Sequence, residues 1–195
     1  DRPVVVYFHT GSFLPSSVTG SCMGNTKDSA AVRICQEFAQ RGFVAVSATY
    51  RVGWLANSTN LDVRRGSNLL AVYSSLQDSK SVVRYLNVTA SAPAGNPFGI
   101  NPDMISLIGQ GSGGYTTLAY ATVDKLAETQ LPKFTYQDTV GIFGQKVDVG
   151  DPYVDTAIIG DWDGYGGEAT IIGQTPTGLP KIDYSQPGRN IVNHP

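Results

Sequence analysis

Charge is scarce in this 195-residue chain, where Asp, Glu, Lys and Arg together make up 15% of the residues, against about 25% in an average soluble domain. Disorder driven by self-repelling charge is therefore excluded. Neither sign is in excess: 14 Lys and Arg stand against 16 Asp and Glu, a formal net charge of -2. The basic face of a nucleic-acid binder is missing, and no nucleic-acid partner is expected. No apolar run approaches the ~20 residues that span a bilayer, so no membrane span is expected. Cysteine and histidine are also rare, with Cys22 and Cys35 outside any C-x-x-C pair and only His9 and His194 beside them. That set is too small and too scattered for a structural zinc site, so neither metal nor cofactor is expected.

The length suits one domain with a sizeable core, or a domain with an appendage. Cys22 and Cys35 either form a disulfide closing a short loop against the next helix or remain two reduced thiols. A cross-link over such a loop contributes roughly 3 kcal/mol and implies an oxidising compartment. Two N-x-S/T sequons, at Asn57 and Asn87, permit N-glycosylation. Low charge with 22 Gly and 10 Tyr fits an extracellular or cell-surface protein. No signal peptide precedes Asp1-Arg2-Pro3, and both ends read as cut, so a fragment is expected.

Residues 4–8 (VVVYF), 43–50 (FVAVSATY) and 104–108 (MISLI) are apolar, β-branched runs of buried-strand type. Helical spacing covers 29–40, 61–86 and 115–127, with Gly42 as a C-cap. Strands alternating with helices predict an α/β architecture, a parallel sheet with helices on both faces. Past about residue 131 the chain turns Gly-, Pro-, Asp- and Thr-rich, with short candidate strands at 156–159 and 169–172. The expected division is a core part over 1–130 and an insertion or cap-like segment over 131–195.

The third strand runs directly into Gly109-Gln110-Gly111-Ser112-Gly113-Gly114 and then a helix. Three readings fit: a G-x-G-x-x-G dinucleotide loop on Gly109, Gly111 and Gly114, with Asp138 as the rough ribose-binding acid; a nucleophile elbow with small residues around its crest; or a glycine turn that packs a helix closely on a sheet. The wider context is more specific. VVVYFHTGSF (4–13), FVAVSATYR (43–51), QDSKSVVRYL (77–86) and FGINPDMISLIGQGSGG (98–114) together resemble the α/β-hydrolase superfamily, in its carboxylesterase and hormone-sensitive-lipase-like branch. The resemblance covers roughly residues 3 to 125. It implies an α/β-hydrolase fold, apparently incomplete, with about three further parallel strands expected beyond this chain. It makes His9-Thr10-Gly11-Ser12 an imperfect oxyanion loop in which His9 is a structural support. It also implies backbone N–H groups near Thr10, Gly11 and Ser112 as the oxyanion hole.

The elbow departs from the family's G-x-S-x-G-G. One register puts Gly111 at the nucleophile position, where no acyl-enzyme can form through serine; the other makes Ser112 the nucleophile and leaves Gln110 where a small residue belongs. Only His194 lies downstream to complete a triad, and Asp148, Asp151, Asp155, Asp161 and Asp163 are undistinguished candidate acids. Asp161-Trp162-Asp163-Gly164 with Gly166, Gly167 and Glu168 resembles a cation loop but reads better as a Gly/Asp turn. Tyr153, Trp162 and Tyr165 offer either turn anchors or a surface for a carbohydrate or protein. The expected function is that of a secreted, esterase-like protein without a working serine nucleophile, a binding module for an unidentified protein or glycan. The alternatives are a hydrolase of small ester or acyl substrates using Ser112, with acid and His from outside the chain, and a dinucleotide binder.

Overall fold

The computed structural model describes residues 1–20, 23–92, 95–159, 171–174 and 180–182. In chain order the elements are β1 (Arg2–Phe8), α1 (Ser16–Thr19), α2 (Ser29–Gln40), β2 (Val44–Ala48), α3 (Leu61–Ala90), β3 (Ile100–Gly109), α4 (Ser112–Thr122), the hairpin β4 (Val140–Ile142) and β5 (Gln145–Val147), α5 (Thr156–Ile159), and β6 (Ile171–Gln174) paired antiparallel with β7 (Pro180–Ile182). Single 3-10 turns occupy Leu126–Thr129 and Pro132–Phe134.

β1, β2 and β3 form a three-stranded, wholly parallel sheet in the order β2-β1-β3, so the α/β class is observed. β1 is central, and its uninterrupted apolar run follows from burial on both faces. Side chains alternate across a strand. Val4, Val6 and Phe8 are fully buried against Ala71 and Leu86 of α3. Tyr7, on the other face, is 2% exposed and lies near Asp28 and Cys35 at α2. Each fully buried Val or Phe contributes about 1.5–3 kcal/mol. The two crossovers leave β1 and β2 in opposite directions, and the right-handed rule places their helices on opposite faces of the sheet. α4 packs on β3, β1 and α3.

α3 is longer than its sequence pattern suggested. Asn60 caps its start, its side chain accepting from the Asp62 and Val63 amides (2.8 and 3.2 Å). Its far side receives the chain after residue 131, where Val63, Tyr136, Ile142 and Tyr153 form a second core. Asp62 ties this segment down. The Tyr153 hydroxyl and the Gln137 amide donate to its carboxylate at 2.5 Å each, and the Asp138 amide adds a third bond at 3.2 Å. Burial alone raises the Asp62 pKa, but these bonds outweigh it and hold the carboxyl below its ordinary range. Gly66 makes room for the Tyr136 ring, whose hydroxyl lies 2.4 Å from where a Cβ at Gly66 would stand.

Two local expectations are corrected. Residues 156–159 form a helical turn rather than a strand: the Ile159 amide bonds the Asp155 carbonyl (3.1 Å), and Gln77 of α3 reaches the Ile159 carbonyl (3.0 Å). Four residues carry no periodicity of their own, so this tertiary contact decides their form. The helix expected over 115–127 instead starts at Ser112 and ends at Thr122, because Val123 leaves the helix in a β conformation. The strand expected at 169–172 is in part β6, with residues 169 and 170 outside the described residues. Of the two cysteines, Cys35 is a half-buried free thiol on α2, and Cys22 lies outside the described residues. Among the described residues no helix is long and apolar enough to cross a membrane.

Candidate functional site

In an open parallel sheet, ligand sites form outside the carboxyl ends of the strands, where successive connections depart to opposite faces. Here that point lies between β1 and β3. The chain after β1 leads to α2 on one face, and the chain after β3 enters α4 on the other. Residues 9–13 and 109–113 meet at this crevice.

The turn after β3 is tight. A Cβ on Gly109 would stand 2.3 Å from the Gly113 carbonyl group, and one on Gly113 would stand 2.1 Å from the Phe8 carbonyl oxygen. These two glycines let α4 lie directly on the ends of β3 and β1. Gly114, by contrast, has 3.4 Å of clearance. The close-packed pair is therefore spaced four apart, Gly109 and Gly113, as an elbow demands, whereas the dinucleotide pattern asks the same of Gly114. Gln110 is exposed, and its Oε1 accepts from the Tyr7 hydroxyl (3.1 Å).

Gly111 is the crest. Its φ of 56° and ψ of -121° belong to a region that side-chain-bearing residues enter only under strain. A Cβ there would stand 2.3 Å from Thr10 Oγ1, so the Thr10 hydroxyl fills the space a side chain at the crest would claim. Ser112, one residue on, is the first residue of α4 and is 4% exposed. Its Oγ lies 2.7 Å from Tyr50 Oη, and Tyr50 donates its only hydroxyl proton to the His9 carbonyl at 2.7 Å. Ser112 must then be the donor to Tyr50. Burial pushes the Tyr50 pKa up to about 12, the Ser112 bond pulling the other way, so the phenol remains neutral near pH 7 and accepts no proton from serine. Sequence reasoning singled out His9 and Ser112, which Tyr50 bridges, and placed Tyr50 in the second strand without a role at the site. Its position at the end of β2, level with the loop after β1, was the available signal.

His9 is 1% exposed and stacks on Tyr50, with ring centroids 4.6 Å apart. Its Nδ1 lies 2.6 Å from the Thr10 carbonyl and its Nε2 lies 3.0 Å from Thr49 Oγ1. A carbonyl only accepts, so Nδ1 carries a proton and Nε2 faces the Thr49 hydroxyl. Both ring nitrogens of His9 are thus engaged, one by the loop's backbone and one by Thr49. Gly11 has φ 132°, and a Cβ on it would stand 2.9 Å from Gly24 Cα. Asp28, 7% exposed, holds that neighbour by accepting from the Gly24 and Asn25 amides (2.8 and 3.3 Å).

Ser12 and Phe13 both have φ of 56°, a left-handed conformation costing roughly 1–2 kcal/mol each for such residues. They are held by the Trp54 indole on the Ser12 carbonyl (2.9 Å), the Gly53 amide on the Phe13 carbonyl (2.7 Å), and the Phe13 ring edge-on to Tyr50 at 5.7 Å. The Ser112 amide is one of those that a helix start leaves without an intrahelical acceptor. The turn crest itself, Gly111, carries no nucleophilic side chain.

Of the other candidates, Asp138 is exposed, with its amide on Asp62 near the start of α3 rather than at the glycine turn. Asp148 pairs with Lys146 (2.8 Å) and Asp151 accepts from the Asp148 amide (2.8 Å). Tyr153 is an anchor for Asp62. His194, Asp161, Asp163, Trp162, Tyr165 and the other residues of 161–168 lie outside the described residues. Among the described residues no group of three or more His, Cys, Asp or Glu is placed to hold a metal ion. Comparison of the chain with protein-family models, with curated proteins and with solved structures returns no match.

Proposed function

We propose that this chain is a secreted protein of the α/β-hydrolase fold, esterase-like in ancestry, that works as a binding or assembly module and not through a serine nucleophile. The observation that carries this reading is the crest. Gly111 holds the strained position where the elbow presents its nucleophile, and Ser112 is buried, donating a hydrogen bond to a neutral phenol. Covalent catalysis by serine needs a hydroxyl at the crest with a base in reach of its proton. Further support comes from the parallel sheet, the close-packed Gly109–Gly113 pair, and the placement of loop 9–13 beside the turn at the switch point. What remains of an oxyanion hole, the amides of Thr10, Gly11 and Ser112, suits a carbonyl or carboxylate group of a bound protein or glycan.

The hydrolase reading, with Ser112 attacking a small ester and acid and His supplied from elsewhere, is the weaker one, because Ser112 Oγ faces Tyr50. The two readings part in a direct assay. The full-length protein and a Ser112→Ala variant should release p-nitrophenol from short-chain p-nitrophenyl esters at the same background rate. Loss of a measurable rate on removing Ser112 overturns the proposal. Dinucleotide binding predicts a rise in melting temperature with NAD, NADP or FAD, and none is expected.

A further inference from the structure

A second concavity lies away from the crest, between α3 and the β4–β5 hairpin. It encloses about 330 Å³, within the range of small-molecule sites, and an apolar cavity of about 150 Å³ already holds benzene. Leu70, Ile142 and Val147 line it with aliphatic groups, Tyr136 and Tyr153 with rings. The Tyr153 hydroxyl is spent on Asp62, and the Tyr136 hydroxyl lies against Gly66 of α3. Phe143 lines the cavity from the hairpin turn. Ile142 pairs with Gln145, so Phe143 and Gly144 form a two-residue connection with φ of 49° and 83°. Such a turn needs positive φ at both central positions and favours Asn-Gly, so phenylalanine there is strained. The fold does not offset that strain by burial, because Phe143 is 56% exposed. Strain kept at an exposed ring beside a cavity points to a contact made with a ligand.

The ionic groups on the lining are already matched. Lys146 Nζ lies 2.8 Å from Asp148, and the charge of Asp151 acts on it as well. Asp155 has an interaction of its own within the fold. An added cation would meet Lys146, and an added anion would meet Asp151. An uncharged ring buries apolar surface and leaves these pairs as they are. We infer that this cavity is a binding site for a small uncharged aromatic molecule, its ring packed between Phe143 and the apolar side chains of α3 and the hairpin.

Benzyl alcohol, benzylammonium and benzoate share one ring and differ in charge. In titrations of the full-length protein followed by amide NMR shifts, benzyl alcohol should move the resonances of residues 140–147. It should bind about three-fold or more tightly than either ion. Phe143→Asn suits the turn better than the native residue, so it keeps the hairpin and reports the ring rather than misfolding. Benzyl alcohol should bind that variant about three-fold or more weakly than wild type. A preference below about three-fold over either ion, no shift at about 20 mM benzyl alcohol (enough to detect millimolar affinity), shifts scattered evenly over the chain, or unchanged affinity in Phe143→Asn overturns the assignment.

Discussion

Replacing Gly111 by alanine probes the crest, and the size of the effect follows from two separate terms. The first is backbone strain: φ 56° with ψ -121° costs a residue with a Cβ about 1–3 kcal/mol. The second is steric, because the new Cβ would stand 2.3 Å from Thr10 Oγ1 and 3.3 Å from Thr10 Cβ; relieving such overpacking costs roughly another 1–3 kcal/mol. Thr10→Ala removes the nearer atom and leaves the farther one, which a shift of a few tenths of an ångström accommodates. A double-mutant cycle separates the terms. Gly111→Ala should destabilise by about 2–6 kcal/mol, and in the Thr10→Ala background the same change should cost about 1–3 kcal/mol, the strain alone. Urea unfolding followed by tryptophan fluorescence, with the denaturant slope checked for constancy, measures all four proteins. A cost for Gly111→Ala below about 0.5 kcal/mol, or additivity within about 0.5 kcal/mol, refutes the claim that Thr10 occupies the place of a crest side chain.

Three other outcomes follow from the same structure. Tyr50→Phe leaves the His9 carbonyl and Ser112 Oγ without their buried partner and should lower unfolding stability by about 1–3 kcal/mol, read by urea denaturation. Asp62 has a folded pKa held below its unfolded value, so its contribution is fully present above the unfolded carboxylate pKa of about 3.9 and disappears as pH falls through the lower folded value. The stability gap between wild type and Asp62→Asn should therefore be wide at pH 7 and close under acid; a gap independent of pH contradicts this account. The sequons also differ in access. Asn57 and Thr59 are exposed in a loop, whereas Asn87 lies inside α3 and Thr89 is fully buried, with its hydroxyl on the Tyr85 carbonyl (2.7 Å). Made in a glycosylating secretory host, the protein should carry a glycan at Asn57 and none at Asn87, as peptide mass spectrometry after glycosidase treatment will read.

The apolar run at β1 was legible because burial on both faces leaves it without polar positions, and the helix over 29–40 because burial of one face writes a helical period into its residues. The glycine turn was legible as a strand-to-helix junction, yet its register stayed open between Gly111 and Ser112. Only the positive φ at Gly111 and the burial of Ser112 separate the two. Contacts formed between distant residues left little trace. Tyr50 bridging the loop after β1 to α4, Asp62 gathering three donors from residues 137–153, and Gly24 pressed on Gly11 all depend on which elements become neighbours. Residues 156–159 were misread for the same reason, since an apolar run of four carries no period and took its form from Gln77.

The central claim is that no serine is presented at the crest, and covalent labelling addresses it without any knowledge of a substrate. Incubating the full-length protein with a fluorophosphonate and recording its intact mass should give the unmodified mass alone. A stoichiometric adduct mapped to Ser112 would contradict the account.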